Sequence, residues 1–342
     1  MRRGAAPLAG ALAAAVAVVL AAAVAAVLVA GCGSPSSSGT LATSVSAPSS
    51  STTAHAGKWS AAISVAPGTD LTVVSCPVAG TCYAGSSGGL IYRLVGDKVT
   101  PLGPPLPSPS PQGASYLSCP GTTFCAAAPS LNQVATYDGK AWQAPATVPA
   151  AQGFTALDCT GPAFCITIDG EGNSFAYDGS GWSRNQGAWG AANQISCVSP
   201  TFCVAAEGGP SVWNGDAWTQ PTNTDAQGQL NSVSCALSSF CVLVDSNGAV
   251  LTWNGLGFSP PRTIATEPPG NGTNPSGLTG VSCPTQTFCR AVDSIGRVFG
   301  WNGSTWDSGT LIDDGHALSA ISCPTTTSCV AVDRSGNAFL SG

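Results

Sequence analysis

The chain has 342 residues, of which only 8% are charged; 11 Lys and Arg stand against 17 Asp and Glu, for a net charge of −6. No basic patch exists, which argues against nucleic acid as a partner. Gly (42) and Pro (26) are abundant and no sustained helical period occurs after the first 31 residues, which excludes a helical bundle and favours many short strands joined by turns.

Met1-Arg2-Arg3 is a short basic start, followed by an Ala/Val/Leu run from Ala5 to Ala30 that ends Leu28-Val29-Ala30-Gly31-Cys32. This resembles a bacterial lipoprotein signal, in which a small-residue site precedes a cysteine that is lipidated and becomes the mature N-terminus. The resemblance implies a signal peptide over 1–31, lipidation of Cys32, and a domain held at the extracytoplasmic face of the cell membrane. An uncleaved transmembrane helix is the competing reading, since the run is long enough to span a bilayer. Removal of Arg2 and Arg3 would leave 9 basic and 17 acidic residues, a net of −8. Residues 33–56 are mostly Ser, Thr, Ala, Gly and Pro, with no charged residue apart from the one histidine, His55, and read as a flexible tether.

From residue 57 the chain is a repeat. Fourteen of the fifteen cysteines form seven Cys-x5-Cys pairs: Cys76 with Cys82, Cys119 with Cys125, Cys159 with Cys165, Cys197 with Cys203, Cys235 with Cys241, Cys283 with Cys289, and Cys323 with Cys329. The fifteenth is Cys32, so lipidation would account for the odd thiol. Cysteines six apart flanking a turn face each other across a hairpin, and seven structural disulfides are expected in an oxidising compartment. A zinc site is disfavoured by the spacing and by the presence of only two histidines, and no metal or cofactor is expected.

Residues 279–306 show the unit. A first strand ends at Ser282-Cys283, and Pro284 is expected to open a turn. Phe288–Val292 form a second strand and Asp293–Gly296 a tight turn. Arg297–Trp301 form a third strand, Asn302-Gly303 a hairpin turn, and a fourth strand starts near Trp306. Four antiparallel strands per roughly 40 residues make a propeller blade, and seven copies predict an all-β, seven-bladed β-propeller over 57–342. The last repeat lacks a fourth strand, whereas Lys58-Trp59 aligns with Thr305-Trp306, so the N-terminal strand should complete the last blade and close the ring. The shared marks Ser-Cys-Pro, Phe-Cys, Ala-Val-Asp-x-x-Gly and Trp-Asn-Gly-x-x-Trp resemble those of bacterial β-propeller repeat proteins. Kelch-type and sialidase-type propellers are similar in architecture, but the sialidase Asp-box spacing is not matched, so the resemblance implies a fold and no active site.

Candidate ligand-binding residues follow in chain order. An acidic residue recurs after the second strand at Asp169, Glu207, Asp245, Asp293 and Asp333, with Ser86 and Pro129 in the first two blades. It could form a ring of carboxylates at the channel mouth. As the first residue of a turn it could instead accept backbone hydrogen bonds, and the latter reading is favoured. Asp169-Gly-Glu171-Gly-Asn173 faintly resembles a calcium loop without its usual sixth-place glycine. Arg184, Asn185 and Trp189 lie in the connection from the third blade to the fourth, where the tryptophan could stack on a sugar or cover a blade edge. Arg290 stands where other repeats have Tyr, Ala, Ile or Val, and needs a partner, a ligand carboxylate or a neighbouring aspartate. Asp313, Asp314 and His316 share the loop before the last blade, without a Gly-x-Ser-x-Gly elbow anywhere. Long connections at Pro101–Ser115 and Pro260–Gly277 fall on the same face as the acidic turns, the face that propellers use for ligands.

Two function classes follow. Uniform repeats with few ionisable side chains favour a membrane-anchored binding or scaffold module for a cell-envelope glycan or an exported protein. The alternative is a propeller glycan hydrolase or lyase with Asp169, Glu207 and Asp245 as its acids, which requires two carboxylates roughly 5–9.5 Å apart.

Overall fold

A computed structural model describes residues 58–104, 106, 116–185, 187, 190–221, 228–266 and 277–342. The leader, Cys32, the tether and Trp189 lie outside the described residues. What is described is all-β: seven four-stranded antiparallel sheets, six with their strands in chain order and the last completed by a strand from the start of the domain. In the sixth blade the strands are Leu278–Thr285, Phe288–Asp293, Arg297–Trp301 and Thr310–Leu311. The innermost strand of every blade lies against the innermost strands of both neighbours, Leu71–Val78 against Leu318–Thr325 included, so the sheets form a closed ring. The chain is a seven-bladed β-propeller with one disulfide per blade.

Ring closure is as the repeat alignment predicts. The last blade takes Leu318–Thr325, Ser328–Asp333 and Asn337–Ser341 from the end of the chain and Ile63–Ser64 from its beginning, with Ile63 opposite Ala338 and Trp59 bridged to Ser341. The seam is packed like any other junction: Val65, Ala66 and Leu71 join Val330, Val332 and Ala338 in one buried cluster. There are seven such clusters among the described residues, lying between blades rather than around one centre. The second strand of each blade is therefore covered on both faces. This explains runs such as Phe-Cys-Val-Leu-Val-Asp at 240–245, whose last five residues are all buried and lack a polar alternation.

The seven cysteine pairs are disulfides with Cα–Cα separations of 4.0–4.1 Å. The second cysteine of each pair opens the covered strand, so Cys82, Cys125, Cys165, Cys203, Cys241, Cys289 and Cys329 are all buried and each bridge reaches into the core. In the third, fourth and fifth blades the two cysteines are direct cross-strand partners, and the register shifts immediately afterwards. This bulge corrects one expectation. Pro284 does not open the turn: the strand runs on to Thr285, which pairs with Phe288, and the register shift lies between Ser282 and Thr285. A proline is tolerated there because a bulge leaves one backbone N–H without a ladder partner. The Asn-Gly turns are as expected, with Gly215 at φ 98° and Gly303 at φ 94°. Asn302 Oδ1 accepts the amides of Ser304 and Thr305, and Trp301 packs on Trp306 with ring centroids 5.8 Å apart.

The serine of Ser-Cys has a structural role that one repeat cannot reveal. An innermost strand presents an unpaired edge to the channel, and its amides need partners. In each blade the first cysteine's N–H donates to the residue before the first cysteine of the preceding blade. Cys119 donates to Ser75 at 3.0 Å, Cys159 to Ser118 at 3.0 Å, Cys235 to Ser196 at 3.0 Å, Cys283 to Ser234 at 2.9 Å and Cys323 to Ser282 at 2.9 Å. Cys76 donates to Ser322 at 3.0 Å across the seam. The seventh bond, from Cys197, goes to Asp158 at 2.7 Å, because the third blade has Asp where the others have Ser.

Candidate functional site

The topology sorts the loops onto two faces. The Asp-x-x-Gly turns and the connections between blades share one, here the turn face. The disulfide hairpins and Asn-Gly turns share the opposite, hairpin face. A cavity of about 200 Å³ runs along the axis, lined by the innermost strands. Its wall carries a polar side chain four residues before the first cysteine in five blades, Thr72, Asn193, Asn231, Thr279 and Ser319. Several of these side chains donate to the next blade's backbone. Asn193 reaches Leu230 O at 2.6 Å, Asn231 reaches Leu278 O at 2.7 Å, Thr279 reaches Leu318 O at 2.6 Å and Ser319 reaches Leu71 O at 2.5 Å. One residue further along, Gln194 Oε1 accepts the amide of Val233 at 2.9 Å and the Ser232 hydroxyl. The wall is thus uncharged and rich in hydrogen-bonding groups that are locked in place around the ring.

Asp158 is the exception. Its Oδ1 accepts the Ser118 hydroxyl and its Oδ2 the Cys197 amide, both at 2.7 Å. Burial pushes its carboxyl up to about 6, against these bonds, which favour the charged form.

The recurring turn aspartates are buried, not displayed. Asp169, Asp245, Asp293 and Asp333 are each 0% exposed. Asp333 Oδ1 accepts the amides of Ser335 and Asn337, and its Oδ2 accepts the Asn337 side-chain amide at 2.8 Å. Asp245 Oδ1 accepts the amides of Asn247 and Ala249. Asp293 repeats the pattern and adds an ion pair with Arg297 at 2.7 Å. Asp169 holds Glu171 and Asn173 through Oδ1 and, through Oδ2, the Gln152 amide at 3.1 Å from the incoming connection. These are the hydrogen bonds of the turn reading.

Around Asp169 the network continues outward: Asn173 Nδ2 donates to Asp169 and to Glu171, and Arg184 donates to Asn173 Oδ1. Glu207 lies across the junction between the third and fourth blades. A Cβ on Gly190 would sit 3.6 Å from its Oε2, and one on Gly172 would touch Gly190, so the connection threads between the two turns. Glu207 is 3% exposed, and its carboxyl lies beside the Ser211 hydroxyl at the end of the same turn. Burial pushes the Glu207 carboxyl up to about 7, with the Ser211 hydroxyl nearby pulling the other way. The structure therefore gathers Asp169, Arg184 and Glu207 at one junction. Asp245, Asp293 and Asp333 belong to the fifth, sixth and seventh blades.

Arg290 is not at either face. It is 6% exposed inside the sixth blade, its guanidinium 4.4 Å from the centre of the Phe288 ring and beside Asp307. A Cβ on Gly300 would collide with the guanidinium and lie 2.7 Å from Asp307 Oδ2, so the three departures from the repeat at 290, 300 and 307 form one arrangement. Arg290 thus lies beside a neighbouring aspartate, Asp307. In the last connection, His316 Nδ1 lies 3.1 Å from Asp313 Oδ1, and burial together with the nearby Asp333 carboxylate raises Asp313. Sequence reasoning missed the channel collar and Asp158. The signal for Asp158 was present, as the one acid in a column of serines before the first cysteine.

No protein family matches the chain, and no curated protein matches it in sequence. Solved propellers do match in shape. A structure described as YCF48 bound to D1 peptide has a TM-score of 0.65 at 13% identity, covering 83% of this chain and 96% of that one. YCF48 from Cyanidioschyzon merolae gives 0.60 at 12% identity over 83% and 98%. The WD40 β-propeller domain of Doa1 gives 0.67 at 8% identity over 84% and 97%. At these identities the likeness is one of fold.

Proposed function

We propose that the protein is a membrane-anchored extracytoplasmic binding module whose turn face takes a segment of another exported protein. The observation that carries this reading is the state of the turn aspartates. Their Oδ1 atoms are taken up by their own backbone, so the face is a rigid, hydrogen-bonded platform with few reactive groups. The peptide-bound YCF48 structure is a precedent for a propeller of this shape engaging a polypeptide. In this reading residues 1–31 are a lipoprotein signal, Cys32 carries the lipid and 33–56 form the tether.

The test is crosslinking from the turn face in intact cells, using a photoreactive residue at Ser335 and, as control, at Ser304 on the hairpin face. Reproducible capture of one exported protein from Ser335 alone is expected. Retention of the protein on wall polysaccharide with no protein adduct would move the reading to a glycan ligand. A glycan hydrolase or lyase remains the second reading because of Glu207, a buried carboxyl held at about 7, as a general acid requires. Turnover of envelope glycans that is abolished in Glu207→Gln would establish it.

A further inference from the structure

We infer that the hairpin face is a membrane-docking surface, with the apolar tips of the fifth and first blades seated among lipid headgroups. The inference rests on the anchor proposed above and adds an orientation to it. The strand Asn337–Ser341 runs from the Asp333 turn to the hairpin face, and Trp59 bridges Ser341 at that end. Lys58 is exposed there, so the chain leaves the ring on the hairpin side. Cys32 and Lys58 are 26 residues apart, joined by an uncharged Ser/Thr/Ala-rich sequence. A strand of eight residues is itself about 26 Å tall. The face on which Lys58 lies is the one that an anchor on Cys32 would reach without running back along a blade.

The composition of the tips agrees. Leu256, 92% exposed, occupies the turn position held by Lys140, Ser180, Asp216 and Ser304 in other blades. Its turn rests on the disulfide hairpin of the same blade, a Cβ on Gly255 lying 3.4 Å from Ser239, and the tip of that hairpin carries Leu237 at 46% exposure. In the first blade Val78 and Val95 are each 46% exposed. Single exposed apolar residues are ordinary on a surface, but paired ones on adjoining turns, on either side of the exit point, give a face that can enter an interface. The equivalent turns of the second, third and fourth blades carry Asp138, Asp178 and Asp216, that of the first carries Asp97 beside Lys98, and those of the fifth and sixth are uncharged.

The experiment is hydrogen exchange on the full lipidated chain bound to phosphatidylethanolamine/phosphatidylglycerol vesicles, compared with the Cys32→Ser chain in solution. Amides of 237–240 and 254–258 should exchange more slowly on vesicles, with 293–297 and 333–337 unchanged. Leu256→Ser should remove the slowing at its turn while the protein still floats with the vesicles. Flotation with unslowed hairpin tips overturns the docking surface and leaves the anchor standing. Failure of the wild-type chain to float overturns the anchor, and the docking surface with it.

Discussion

Ser322, in the last blade, accepts the backbone hydrogen of Cys76, in the first, at 3.0 Å and across 246 residues of chain. The same bond recurs at every junction of the ring, with Asp158 standing in for serine at one, so the seam is chemically equivalent to the other joints.

That equivalence can be measured. Ser322→Ala and Ser196→Ala each leave one cysteine amide unpaired at an inner edge, which costs about 1–3 kcal/mol. Chemical denaturation of the two variants should give the same loss within error. A much smaller loss for Ser322→Ala would mean that the seam opens independently of the rest.

Asp158 and Glu207 make stability pH-dependent. Both carboxyls bind a proton more tightly folded than unfolded, at about 6 and about 7 against ordinary values of about 4. Where the folded state holds more protons, stability falls as pH rises. Their contribution is therefore complete below about pH 4, declines between about pH 4 and 7, and is flat above. Asp178, held down to about 2 by the Ser180 hydroxyl and by backbone amides, acts only below this window, where its contribution is lost as pH falls. Thermal unfolding should show a higher Tm at pH 5 than at pH 8. Asp158→Ser, which restores the residue found in the other blades, should raise Tm at pH 8 and flatten the profile. An unchanged profile in Asp158→Ser with Glu207→Gln would refute the assignment.

Gly300→Ala places a methyl group against the Arg290 guanidinium and Asp307, with no space to accept it. Overpacking of this kind costs about 1–3 kcal/mol. Replacing Arg290 with Val, the residue common at that position elsewhere, and Asp307 with Ser should make the Gly300→Ala change tolerable. A double-mutant cycle on denaturation midpoints tests this coupling.

Each disulfide closes a loop of a few residues, and the chain-entropy model assigns it roughly 2 kcal/mol. Cys235→Ala with Cys241→Ala should therefore lower stability by about that amount and leave the circular dichroism spectrum unchanged. Full reduction, which removes all seven, should unfold the domain at a temperature where the single-bridge variant remains folded.

The architecture was legible because its determinants are local. Cys-x5-Cys, Asn-Gly and Asp-x-x-Gly each act within one hairpin, so their spacing reports strands and turns directly, and the truncated last repeat with Trp59 at the other end reported the closure. Pro284 was misread because a bulge and a turn both favour proline. The site was less legible because its contacts cross between blades. Nothing within one repeat shows that Ser282 caps Cys323 or that Asn231 reaches Leu278. Arg290 was recognised as needing a partner, but Gly300 and Asp307 acquire meaning only once three strands are side by side. Asp158 escaped notice because the eye follows the cysteine rather than the serine before it.

The bond from Leu340 to Ser60 spans 280 residues, whereas each disulfide spans six. A chain that folds from its N-terminus onward can oxidise every hairpin as it forms. It must nevertheless hold Ile63–Ser64 in waiting until Asn337–Ser341 arrives. Until then Ile63–Ser64 and the outer edge of Asn337–Ser341 are both unpaired, open to a strand from another copy. Folding therefore passes through a stage in which a head-to-tail chain of molecules competes with the ring, and slow closure at high concentration is the condition under which that competitor would accumulate.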